Sequence, residues 1–197
     1  MFYPVNKKEA KKQYNLDLKT RYIIYIGRLE KEKDVNFLIK SFHVATRQED
    51  DLRLLLVGDG SGMKQLTQLV EDLGLKNKVV FLGNIAYTSV PIVINCADLL
   101  VLASVYEGSP TVVREALSCG VPVLTTDAGD VRKFINDSRL GSISGKDESS
   151  FGAAMVDMLG NQELLNAALY RQTLAKKLFS VEIMCQKTIE VYKKVLS

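Results

Sequence analysis

The sequence has almost none of the residues on which metal, disulfide or histidine chemistry is built. It holds one histidine and three cysteines in 197 residues. It contains no HExxH, no paired CxxC and no P-loop lysine, so metal-assisted and ATP-dependent chemistry have no motif to rest on. Cys96, Cys119 and Cys185 are odd in number, widely spaced and each set among apolar residues, which argues for buried thiols in a reducing compartment rather than disulfides. The cytoplasm is therefore the expected location. His43 lies beside the apolar stripe of a helix with no acid or cysteine spaced to partner it, and reads as a half-buried structural side chain. Long hydrophobic runs are missing as well. No segment approaches the ~18 apolar residues of a membrane span, and the opening MFYPVNKKEAKK has no signal-peptide core, so membrane contact is expected only through residues outside this chain. The net charge of +3 is too mild to argue for nucleic acid as a partner, yet it is compatible with a small anionic ligand.

What is present is apolar and regular. With 47% hydrophobic residues the chain can bury one sizeable core and fits a single domain. Apolar runs too short for helices occur at 22–26, 52–57, 79–82, 99–102 and 121–124, with a last short strand over 140–145. Helical segments are expected between and after them: 7–16, a helix through Val35, Leu38, Ile39, Phe42 and Ala45 with Asp34 as N-cap, one ending near Leu73, then 88–96, 147–159 and 162–178. A terminal helix opens at Ser180, with Val181, Met184, Cys185, Tyr192 and Val195 on one stripe. Continuous apolar strands alternating with helices predict an α/β fold, a doubly wound parallel sheet of Rossmann type, with ligand at the carboxyl ends of the strands.

The stretch 98–127 compresses strand, glycine turn, helix and second strand into little space. Ser109 stands where an N-cap is expected, Pro110 where the first helical residue is expected, and Gly120 closes the helix. Val112, Val113, Ala116 and Leu117 share one helix face, and Thr111, Glu115 and Ser118 the opposite one. Free N–H groups at Gly108, Ser109 and Thr111, with the positive end of the helix dipole, make a ready phosphate site. Glu107 flanks that start, and Glu115 lies ~7–8 Å further along the axis, placed to meet sugar hydroxyls of a ligand whose phosphates sit at the helix start. Elsewhere, Arg28, Lys31 and Lys33 read from composition alone as a solvated loop. The Gly58-Asp-Gly-Ser-Gly62 turn approaches a dinucleotide fingerprint, but its third glycine is replaced by Met63, and a tight strand-to-helix turn is favoured.

The spacing Glu107-x7-Glu115, inside YEGSPTVVREALSCGVPVLTTD, resembles the signature of the retaining family 4 glycosyltransferases, which are built on the two-domain GT-B fold. The resemblance implies that Glu115 grips the donor ribose and that Glu107 approaches the donor sugar. Gly-Arg-Leu followed by a lysine five residues after the arginine also occurs in that family. Arg28 and Lys33 match it, which implies stabilisation of a departing diphosphate; Lys31 is left as surface. By the same resemblance Gly27, Gly58 and Gly83, the last near the base, join Gly108, Ser109, Pro110, Thr111 and Val112 in holding a nucleotide-sugar donor, with no metal or other cofactor required. Gly129-Asp130 stands where many relatives have Gly-Gly, a departure that either alters the sugar pocket or caps the helix that follows. The terminal helix resembles the one that crosses back to the other lobe. The likeness covers nearly the whole chain but only the C-terminal, donor-binding half of such an enzyme. The chain is thus expected to be a donor domain without its acceptor-binding N-terminal lobe, as a fragment or as a module completed by a partner, and inactive alone. Two alternatives stay open: a nucleotide-sugar-binding module without transferase activity, and a dinucleotide-dependent oxidoreductase domain.

Overall fold

The computed structural model describes residues 2–196, apart from the side chains of Val181 and Met184. Six strands form one sheet: β1 (Arg21–Ile26), β2 (Leu52–Val57), β3 (Val79–Gly83), β4 (Leu99–Leu102), β5 (Val123–Thr126) and β6 (Gly141–Ser144). Every pairing is parallel, in the order β3-β2-β1-β4-β5-β6. The chain winds outward from β1 in one direction, then returns to β1's other edge and winds outward again. The β1/β4 boundary is therefore the point where the order reverses, and a crevice opens there at the carboxyl ends. Ile23, Ile24, Leu54, Leu55, Leu99, Leu100, Val123 and Leu124 are fully buried, as strands covered on both faces must be.

The helices are α1 (Lys7–Gln13), α2 (Val35–Thr46), α3 (Met63–Asp72), α4 (Val90–Cys96), α5 (Thr111–Ser118), α6 (Glu148–Gly160), α7 (Gln162–Asn166), α8 (Ala168–Phe179) and α9 (Val181–Leu196). Three groups pack together: α1 with α4, α2 with α3 and α6, and α5 with α8. Asp34 caps α2 from a left-handed conformation (φ 45°), its carboxylate accepting from the Phe37 N–H. Asp147 caps α6 in the same role, and Ser180 Oγ accepts from Ile183 N.

Several boundaries differ from the sequence expectation. Helix α1 stops at Gln13, because Asn15 takes φ 52° and turns the chain away. Strand β5 begins at Val123 rather than 121; Pro122 has no N–H to give, although its carbonyl accepts from Leu100 N. The segment 88–96 opens with a 3-10 turn over Tyr87–Ser89 before α4. The single helix expected over 162–178 is two, broken at Ala167. Helix α5 starts at Thr111, with Pro110, not Ser109, in the N-cap position: the ring fixes φ at −68°, ψ is 107°, and the residue is extended rather than helical. Asp130 does not cap a helix. Only a 3-10 turn follows it, over Val131–Lys133, and its side chain makes no capping bond. On α9, Cys185, Tyr192 and Val195 are exposed, and the remaining two members of the expected stripe, Val181 and Met184, lie outside the described side chains.

Candidate functional site

At the β1/β4 switch point lies a cleft of about 280 Å³, walled by Tyr25, Gly27, Arg28 and Lys33 on one side and by Glu107, Ser109, Pro110, Thr111 and Val112 on the other. The first wall follows from the end of β1. Gly27 N donates to Val57 O at 3.0 Å, and a Cβ added at Gly27 would lie 2.7 Å from Tyr25 Oη, so only glycine lets the phenol pass beneath the chain. That phenol donates to Arg28 O at 2.8 Å and fixes the loop. Burial first, then the charge of Glu107 and Glu32, push its ionisation far above the ordinary tyrosine range, so it stays a neutral donor. A 3-10 turn over Lys31–Lys33 then aims Lys33 into the cleft.

The second wall is the turn from β4 into α5. Because a proline precedes α5 and offers no side-chain acceptor, the first N–H groups of the helix remain available to a ligand. Three contacts clamp this turn. Val105 N donates to Glu32 O at 2.9 Å, Thr126 Oγ1 to Ser104 O at 2.9 Å, and Asp130 N to Gly108 O at 3.2 Å. Gly129, at φ 65°, sits so close that a Cβ there would be 2.6 Å from the carbonyl oxygens of both Glu107 and Gly108.

The two walls meet in an ion pair, with Lys33 Nζ 2.7 Å from Glu107 Oε1 and side chains 18% and 13% exposed. Ser104 Oγ donates to the same oxygen at 2.7 Å. Arg28 reaches the cleft wall, but its guanidinium is 71% exposed and engaged by Glu32 at 2.9 Å. Lys31 is exposed, as expected. Gly58, Gly83, Gly108 and Glu115 are not among the residues that line the cleft. Gly58 and Gly83 are structural neighbours of the wall: Gly58 N donates to Gly83 O at 2.8 Å, and a Cβ on Gly58 would fall 2.0 Å from Gly27 O. Glu115 is half-buried on α5, and burial raises its carboxyl above the usual range, with Arg114 pulling the other way. Sequence reasoning missed Tyr25, Glu32, Ser104 and Thr126. Ser104, polar and directly after an apolar strand, was the one with a visible signal.

The glycine turn after β2 is occupied by the protein itself. Glu30 accepts from Ser61 N at 3.0 Å and from Ser61 Oγ at 2.6 Å, and Gly62 N is bonded to Leu29 O. An anion-binding turn whose donors already hold a carboxylate is a packing device, as the missing third glycine indicated. Among the described residues no group of three or more His, Cys, Asp or Glu is placed to hold a metal ion, and no helix is long and apolar enough to cross a membrane. His43 pairs through Nε2 with Arg47, while its Nδ1 is buried without a partner. A second cavity, about 190 Å³, lies at the opposite end of the strands beside Asn95, Asp98 and Arg171.

The model of the family described as glycosyl transferases group 1 matches residues 6–172. The chain belongs to this family. Among curated relatives, the alpha-D-kanosaminyltransferase of Streptomyces kanamyceticus is 30% identical over 135 residues, covering 68% of this chain and 35% of that protein. The N-acetyl-alpha-D-glucosaminyl L-malate synthase of Bacillus anthracis is 27% identical, over 91% of this chain and 49% of its own length. The chain thus spans half or less of the length of these relatives. Anabaena HepE, solved in complex with UDP-glucose, superposes with a TM-score of 0.84 at 25% identity, over 96% of this chain and 52% of HepE. The separately solved C-terminal domain of the group 1 protein LpcC from Francisella tularensis shares the fold, with a TM-score of 0.81 at 23% identity over 91% of this chain and 96% of that domain.

Proposed function

We propose that this chain is the donor-binding half of a group 1 glycosyltransferase, which moves a sugar from a nucleoside-diphosphate sugar to an acceptor with retention of anomeric configuration. The observation that carries the reading is the Lys33–Glu107 pair, 2.7 Å apart beside the uncapped start of α5. A diphosphate set on the helix start meets the N–H groups, the helix dipole and the Lys33 ammonium together, without calling on a metal. Arg28 joins it by turning from Glu32, an exchange of one exposed carboxylate for a phosphate. As the sugar–oxygen bond breaks, charge builds on the diphosphate, and pre-placed cations stabilise that charge more than they stabilise the ground state. Glu107 orients the sugar, and Glu115 takes the ribose hydroxyls. HepE, with UDP-glucose bound at 25% identity, supports a nucleotide sugar as the ligand class, and the family resemblance supports retention.

Calorimetric titration with UDP, GDP and their glucose and mannose conjugates tests the reading, and binding of at least one is expected. Lys33→Ala should weaken the nucleoside diphosphate by about 1.5–3 kcal/mol, the range for a hydrogen bond to a charged group; unchanged affinity in a folded variant removes Lys33 from the site. Retention is checked by proton NMR of the product: an α-linked donor should give an α-linked product.

A further inference from the structure

We propose that Ser104 is a positioning residue that holds the Glu107 carboxylate to the sugar while Lys33 is drawn to the diphosphate. The proposal rests on the donor-cleft reading above and adds to it a relay that starts in the sheet. Thr126, at the end of β5, donates through Oγ1 to Ser104 O at 2.9 Å, and Ser104 Oγ donates to Glu107 Oε1 at 2.7 Å. The directions of both bonds follow from chemistry. A carbonyl and a carboxylate can only accept, so each hydroxyl must spend its single proton on the next group in the chain. Ser104 is 2% exposed and Thr126 4%, which puts the relay out of reach of competing water and makes each unmade bond costly.

The partners of Glu107 are unevenly shared. Both Lys33 Nζ and Ser104 Oγ are bonded to Oε1, and Oε2 has no protein partner among the described hydrogen bonds. The carboxylate is thus gripped by one oxygen and offers the other. Lys33 is a flexible side chain with a competing claim, because a diphosphate at the start of α5 carries more charge than Glu107. When Lys33 leans toward the phosphates, Ser104 becomes the one fixed donor that keeps Oε1 in place. The serine follows directly from β4 and is tied to β5 by its backbone carbonyl, which accepts from Thr126 Oγ1. A sugar hydroxyl then meets a carboxylate oxygen whose direction is set by the sheet and not by a mobile lysine.

The test is calorimetric titration of the 197-residue chain with UDP and with UDP-glucose, for wild type and for Ser104→Ala and Ser104→Thr. The phosphates do not touch Ser104, so Ser104→Ala should leave the UDP dissociation constant within twofold and weaken UDP-glucose fivefold or more. Ser104→Thr, which keeps the hydroxyl, should restore the difference. In the longer enzyme, Ser104→Ala should raise KM for the donor in step with its weakened binding, while the inhibition constant of UDP stays within twofold. Equal effects on both ligands, no effect on either, or failure of threonine to rescue overturns the positioning role and leaves the donor-cleft reading standing. Should wild type bind GDP and not UDP, the same comparison is made with GDP and its sugar conjugate; failure to bind either nucleotide overturns that reading and this proposal together. Should Ser104→Ala not fold, the pair Thr126→Val and Thr126→Ser interrogates the same relay one step back: valine should reproduce the selective loss of UDP-glucose and serine should not. A loss common to both ligands would again overturn the proposal.

Discussion

At the scale of single residues, the cleft holds its charges in pairs, Lys33 with Glu107 and Arg28 with Glu32. Glu115, further along α5, shows the cost of a half-buried carboxylate. Burial raises its carboxyl above the ordinary range, so the ionised form destabilises the fold. The folded state binds the proton more tightly than the unfolded one, and the penalty is complete above the folded titration point and absent in acid, below the unfolded value. Glu115→Gln is therefore expected to melt at a higher temperature than wild type at neutral pH. In acid, below the carboxylate range, the advantage should vanish. If the ribose assignment holds, the same variant should bind nucleoside diphosphate more weakly while pyrophosphate binding is unchanged. A variant that is no more stable, or that loses both ligands equally, counts against the assignment. On the ribose assignment, stability and binding should pull in opposite directions at Glu115. Which residues gather at the cleft was largely legible: Ser109, Pro110 and Thr111 were named from the turn chemistry before α5, and Gly27, Arg28, Lys33, Glu107 and Val112 through the family resemblance. Their bonding was not, because Lys33 meets Glu107 across 74 residues of sequence, Ser104 shares the same carboxylate oxygen, and Glu32 holds Arg28.

At the scale of elements, the strands were read closely and the helix ends less so. A strand buried on both faces declares itself by an uninterrupted apolar run, and β2 spans Leu52–Val57 as expected. Helix ends depend on which carbonyls and N–H groups find partners, and that is decided by tertiary contacts. Asp130 was expected to cap a helix, yet its N–H is taken by Gly108 O and its Oδ1 is buried without a partner. The break at Ala167 serves a contact invisible in sequence. Arg171, 1% exposed on α8, spreads its guanidinium over the carbonyls of Gly120, Leu164 and Arg139 at 2.7–2.8 Å. It thereby joins the end of α5, the end of α7 and the approach to β6. Burial lowers its pKa to about 10, which leaves it a cation at neutral pH. Arg171→Met should orphan those carbonyls and cost about 3 kcal/mol, at ~1–3 kcal/mol per buried unsatisfied group, read as a lower urea midpoint. An unchanged midpoint would mean that water replaces the guanidinium at no cost.

At the scale of the whole molecule, the residues that line the cleft stand on one rim of one sheet, at the carboxyl ends of β1 and β4 and in the loops beside them. A rim binds; it does not enclose. Transfer requires an acceptor hydroxyl held against the donor, and effective molarities of ~10⁵ M or more come from that enclosure. The 197-residue chain is thus expected to bind donor and yet give no measurable transfer with radiolabelled nucleotide sugar, whereas the same chain joined to an acceptor-binding lobe should transfer. Comparable rates from both would show that the single rim carries a complete active site. The strand order that creates this rim also sets a timetable for synthesis. β1 is made first, but its second neighbour, β4, follows only about 75 residues later, which at ~5–20 residues per second leaves one edge of the apolar segment Tyr22–Ile26 uncovered for roughly 4–15 s on the ribosome. The edge that later frames the cleft is, during translation, the segment a chaperone has most reason to hold.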